Sequence, residues 1–157
     1  MNKAKQPAKR NKAESKPNMH QADYSQLLEL IKLAKVWIVK MDFALETDCN
    51  PPQDYQMQIG RSPGELEIHS NYLCINLGYE IKGKSQETDV FSGHYHFAII
   101  FEFTEHDQVA TLLEDEQIKV TFLGAQAEKL VWSYLRKALQ QVLLDAGLPA
   151  VVLPLYR

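Results

Sequence analysis

From Val36 to Leu45 the chain reads VWIVKMDFAL, with Trp37, Val39, Met41, Phe43 and Leu45 apolar and Lys40, Asp42 and Ala44 between them. Side chains on a strand alternate faces, so this period of two predicts a strand with its odd residues inward and one wet face. The same period returns in NYLCINLGYEIKG, where Leu73, Ile75, Leu77, Tyr79 and Ile81 share one face. It returns again in VFSGHYHFAIIFEF, where Phe91, Tyr95, Phe97, Ile99, Phe101 and Phe103 share a face with Gly93, and Ser92, His94, His96 and Glu102 take the other. GKSQET joins these two runs. Strands with such short connections make an antiparallel meander whose aromatic side needs a cover.

The period changes to that of a helix over residues 125–145, where Val131, Leu135, Ala138 and Val142 form a stripe widened by Tyr134, Leu139 and Leu143. Gly147 and Pro149 stop it. Upstream, QIKVTFLG alternates at Ile118, Val120 and Phe122 and is read as a short fourth strand, while ADYSQLLELIK, with Asp23 as a cap and Gln26 three residues on, gives one or two helical turns. Between the first two strands lies ETDCNPPQDYQMQIGRSPGE, broken by Pro51, Pro52 and the Ser62, Pro63, Gly64 turn. It is read as a long crossover loop with an apolar rib at Tyr55, Met57 and Ile59. The expected class is α+β: an antiparallel sheet of three to four strands covered on one face by a long C-terminal helix. The chain then ends on LPAVVLPLYR, an apolar run that Pro149 and Pro154 keep out of regular structure and that something must cover.

Charge divides the chain. Residues 1–20 hold six of the 17 basic residues and one of the 20 acidic ones, which leaves 11 basic against 19 acidic residues in the remainder. The first 22 residues, almost without large apolar side chains, are expected to be a disordered basic tail, with one domain over 23–157. No aromatic interleaves with the tail's charges, so a nucleic-acid partner is not expected. No apolar run reaches the roughly 18 residues of a membrane span, and no signal-peptide core precedes the domain, so a cytoplasmic protein without a membrane partner is expected. Cys49 and Cys74 are expected to be reduced thiols.

Candidate chemistry is sparse. His94 and His96 lie two apart on one strand face, with Glu102 as a conceivable third ligand, but two ligands do not make a metal site. No nucleophile and base pair, phosphate loop or paired carboxylates stand out, so no enzyme, cofactor or metal is expected. The rival reading is a small α+β enzyme or ligand-binding domain using the cavity between sheet and helix, with chemistry from His94, His96 or His106.

The order of strand, long crossover, two strands and an aromatic helix VWSYLRKALQQVLLDAG running into LPAVVLP resembles the SecB family of export chaperones, and IKVTFLGAQAEKLVWSYLRK looks most like the divergent branch that serves toxin-antitoxin modules. Val131, Trp132, Ser133, Tyr134 and Arg136, then Gly147, Leu148, Pro149 and Pro154, carry the resemblance, with Ser133 where the family has a proline. It implies a holdase chaperone, without ATP hydrolysis, assembled as a dimer of dimers, that binds unfolded polypeptides, export precursors or a dedicated antitoxin, in apolar grooves. The client-binding residues expected from it are Tyr55, Met57, Ile59, Trp132, Leu148, Val151, Leu153 and Leu155, with Trp132 and Tyr134 equally readable as core aromatics. The family docks the SecA motor through acidic residues on the exposed sheet face. Lys40, Ala44, Ser92 and His94 fall at those positions, so SecA docking is not expected.

Overall fold

A computed structural model describes residues 19–46, 52, 54–151 and 153 of the chain. Helix α1 (Met19–Leu30) leads directly into β1 (Ile31–Leu45), and β2 (Gln56–Arg61), β3 (Glu65–Ile68), β4 (Tyr72–Ser85) and β5 (Thr88–Phe103) follow. Helices α2 (His106–Glu114) and α3 (Glu116–Phe122), a π turn at Leu123–Glu128, and α4 (Lys129–Asp145) complete the chain. All strand pairs are antiparallel, in the order β1-β5-β4-β2, with β3 also on β4. The class is α+β as expected, with five strands.

The centre of the sheet follows its alternation. Leu73, Ile75, Leu77, Tyr79 and Ile81 of β4 and Phe91, Tyr95, Phe97, Ile99, Phe101 and Phe103 of β5 are all buried. Four buried α4 residues, Val131, Leu135, Leu139 and Leu143, cover this face, each contributing roughly 1.5–3 kcal/mol. Val109, Leu113, Ile118 and Phe122 extend the cover, with the Phe101 and Phe122 rings 5.2 Å apart. Tyr134, expected to widen the stripe, is exposed instead.

Several expectations are corrected. QIKVTFLG is helical, because Asp115 caps α3 by accepting hydrogen bonds from the amides of Gln117 (2.8 Å) and Ile118 (3.3 Å) and starts a helix before any strand can form. The buried positions then run 118, 122, 127, 131, 135, 139 and 143. The single step of five falls in the π turn, whose wider winding keeps the stripe on the sheet. Helix α2 was not foreseen, its apolar pattern being only two turns long.

The expected crossover loop is half strand. The rib at Tyr55, Met57 and Ile59 opens β2, which pairs with Lys84–Tyr79 of β4, while β3 pairs with Asn76–Leu73. Together they make one edge interrupted by the Ser62, Pro63, Gly64 turn. Helix α1 begins at Met19, ahead of the boundary expected at Asp23. The rest of the expected tail, residues 1–18, lies outside the described residues, as do Pro154 and Leu155.

The parity expected for β1 fails between two register shifts and holds on either side of them. Register shifts in the pairing with β5 occur between Leu33 and Lys35 and between Ile38 and Lys40. Each inserts an extra residue, which reverses the face of everything beyond it. Met41, Phe43 and Leu45 therefore sit opposite the inward Tyr95, Gly93 and Phe91, as expected, but Trp37 sits opposite Ala98 on the outer face and Ile38 takes the inner place opposite Phe97.

Candidate functional site

Strand β1 is the edge of the sheet, and the helical layer does not reach across it. Leu33, Ile38, Val39, Met41 and Leu45 are between 37% and 58% exposed, although the first two and last two pair with inward β5 residues. They form an apolar strip of roughly 40 Å at about 3.3 Å per residue. Val39, Met41 and Leu45 were expected in the core. The alternation identified them as apolar, but carried no sign that the strand lies at the margin. Contiguous exposed apolar surface of this kind marks a partner site.

The strip continues around one end of the sheet through aromatic contacts. Phe43 stacks on Phe91 with centroids 5.3 Å apart, and Tyr55 meets Phe91 edge-on at 5.4 Å. The Tyr55 hydroxyl donates a 2.6 Å hydrogen bond to the carbonyl of Pro149, and burial raises the phenol's pKa. Crossover and C-terminal run thus meet. They meet by filling the space between them. Leu148 and Leu153 are only 3% exposed and belong to the core, while Tyr55, Met57, Ile59, Trp132 and Val151 are half-buried against it. Trp132 lies 6.5 Å from the Tyr79 ring. Leu155 lies outside the described residues.

Beneath the crossover edge, Arg61 at the end of β2 pairs with Glu128 in the π turn, a carboxylate only 6% exposed. Burying that charge requires such a partner. The pair fastens the interrupted edge to the helical layer. No sequence signal indicated it, since the partners are separated by three strands and two helices.

The outer face places Lys40, Ala44, Ser92, His94 and His96 together, as parity required. Carboxylates lie beside them, among them Asp42, which the alternation had placed on this face. The Asp42 carboxylate lies 2.8 Å from His94 Nδ1, Glu80 Oε1 lies 4.0 Å from Nε2, and Glu46 accepts a 2.7 Å bond from the Ser92 hydroxyl. The hydrogen bond from His94 holds Asp42 below its ordinary pKa, and Lys82, 2.6 Å from Glu80, does the same there. Glu102 stands opposite Lys32 and Tyr72, six residues along β5 from His96 and about 20 Å away, so it cannot complete a site with the histidines. Among the described residues no group of three or more His, Cys, Asp or Glu is arranged to hold a metal. No described helix is long and apolar enough to cross a membrane.

The space between sheet and helices, which the rival reading needs as a cavity, is filled by buried side chains. A cleft of about 490 Å³ lies on the outer face between Lys40, His96, Gly78 and Ser62, and one of about 510 Å³ at the sheet end beside Lys32, Asn71 and Thr104.

No protein-family model and no curated protein matches the chain. Among solved structures it is similar to a SecB-like chaperone of Mycobacterium tuberculosis in complex with a ChAD peptide from an antitoxin. The TM-score is 0.70 at 13% sequence identity, over 87% of this chain and 98% of that one. At this identity the likeness is one of architecture, and by it the chain has the SecB-like α+β fold.

Proposed function

We propose that this protein is a SecB-like holdase that binds unfolded or aggregation-prone polypeptides without nucleotide and works as a cytoplasmic homo-oligomer, a dimer of dimers. The observation that carries the proposal is the exposed apolar strip of Leu33, Ile38, Val39, Met41 and Leu45 on a fifteen-residue edge strand. Unfolded chains offer alternating apolar side chains and free backbone groups, and an apolar strip beside an open strand edge is suited to both. The peptide-bound structural neighbour agrees with polypeptide clients, and a dedicated client such as an antitoxin fits a surface built for a narrow set. SecA docking is not part of the proposal. The carboxylates near His94 are engaged by His94 and Lys82, which leaves little free negative charge for a basic motor module.

Size-exclusion chromatography with light scattering tests this directly. The protein should run as an oligomer and co-elute with a urea-unfolded polypeptide diluted into nucleotide-free buffer. A monomer that leaves the unfolded chain unbound would overturn the proposal.

A further inference from the structure

Residues 148–151 and 153 lie against the core without regular secondary structure, with apolar side chains at Leu148, Val151 and Leu153. Among the described residues no main-chain hydrogen bond ties 149–151 or 153 to sheet or helix. Among the described residues, what holds the segment is burial of Leu148 and Leu153, the bond from the Leu148 amide to the Leu143 carbonyl, and the bond from Tyr55 to the Pro149 carbonyl. It leaves the helix through Gly147, whose φ of +71° suits a residue without a side chain and lets the chain turn sharply off α4. Beneath it the contacts run from Tyr55 to Phe91 to Phe43, which lies two residues along β1 from Met41 of the strip and on the same face. Lifting the segment would bare Tyr55 and Phe91 and lengthen the strip at that end.

We propose that residues 148–151 and 153 are a self-bound occupant of the client surface, displaced when an unfolded polypeptide takes their place. The inference rests on the chaperone reading and adds regulation to it. The segment keeps the end of the strip covered while no client is present, and competes with clients of low affinity, so that only chains with several apolar anchors displace it. Tyr55 adjusts the threshold, because its hydroxyl makes the one side-chain hydrogen bond to this segment among the described residues.

The test uses a fluorescently labelled, reduced and unfolded polypeptide, with the full chain and its Tyr55→Phe variant. The variant keeps the ring against Phe91 and loses the bond to Pro149, so it should bind the client about 2- to 10-fold more tightly. In the unaltered protein, client binding should speed amide hydrogen exchange at Leu148, whose amide bonds the Leu143 carbonyl while the segment is seated. Equal or weaker binding by folded Tyr55→Phe, or unchanged or slowed exchange at that amide, would make the segment a wall of the groove and overturn the inference while leaving the holdase. Absence of binding to either protein would overturn both.

Discussion

Tyr55 and Pro149, 94 residues apart in sequence, are joined by a 2.6 Å hydrogen bond from phenol to carbonyl, at the corner where the crossover meets the C-terminal run. That corner divides the apolar side chains into two kinds. Leu148, at 3% exposure, closes the core, whereas Val39, at 58%, faces outward. Leu148→Ala should therefore cost about 2–5 kcal/mol of stability by urea unfolding. Val39→Ser should stay within about 0.5 kcal/mol and instead weaken client binding.

A second prediction concerns the close approach of two strands. A Cβ on Gly83 would overlap the Phe91 ring, whereas one on Gly60 would meet only ordinary contacts at 3.8 Å. Gly83→Ala should destabilise the fold by roughly 1–3 kcal/mol, because Phe91 is wedged between Phe43 and Tyr55 and cannot turn aside. Gly60→Ala should leave the thermal midpoint nearly unchanged. Equal midpoints for the two variants would contradict this account of the Phe91 corner.

How far the sequence carries is plain from particular strands. β4 and β5 keep an unbroken period of two and pair on both sides, so their inward residues were legible one by one. β1 has the same composition, but its two bulges are set by pairing with β5, and no local pattern marks them. At β2 the alternation of Met57 and Ile59 with Tyr55 just before the strand was visible, and the prolines and glycines around it concealed that an edge strand can be short and interrupted. The apolar C-terminal run was identified as needing cover. Whether it lines a groove or fills one depends on a contact with Tyr55 that sequence spacing does not encode.

Tyr95 gives a pH prediction. Burial, with a smaller contribution from the Asp42 charge, pushes its phenol up to about 12. An unfolded tyrosine ionises near 10. Between about pH 10 and 12 the unfolded chain has released a proton that the folded one retains, so stability falls as pH rises through that window, and this group has no such effect below it. The hydroxyl is buried without a hydrogen-bond partner among the described residues. Tyr95→Phe should therefore stabilise the neutral protein by about 1 kcal/mol and flatten the alkaline loss in urea titrations, and a destabilised variant would point to a bond that Tyr95 makes.

Asp42 behaves in the opposite sense. His94 lowers its pKa, chiefly through the hydrogen bond, so its contribution is present above the ordinary value of 3.8 and is lost as pH falls through the lowered one. Carbon NMR should find this carboxyl titrating below 3.8, and His94→Ala should bring it back up. An unmoved titration would show that the pair does not persist in solution.

The central claim is that the exposed strip of β1 holds unfolded chains, and the rate of aggregation of a chemically unfolded polypeptide measures it most directly. Light scattering is followed after dilution into nucleotide-free buffer, with this protein or its Val39→Glu, Met41→Glu variant added in rising amounts. Suppression that saturates at a fixed ratio for the unaltered protein, and is largely lost in a variant that keeps its native far-UV spectrum, is the predicted result. Aggregation undiminished by the folded, unaltered protein would contradict the account.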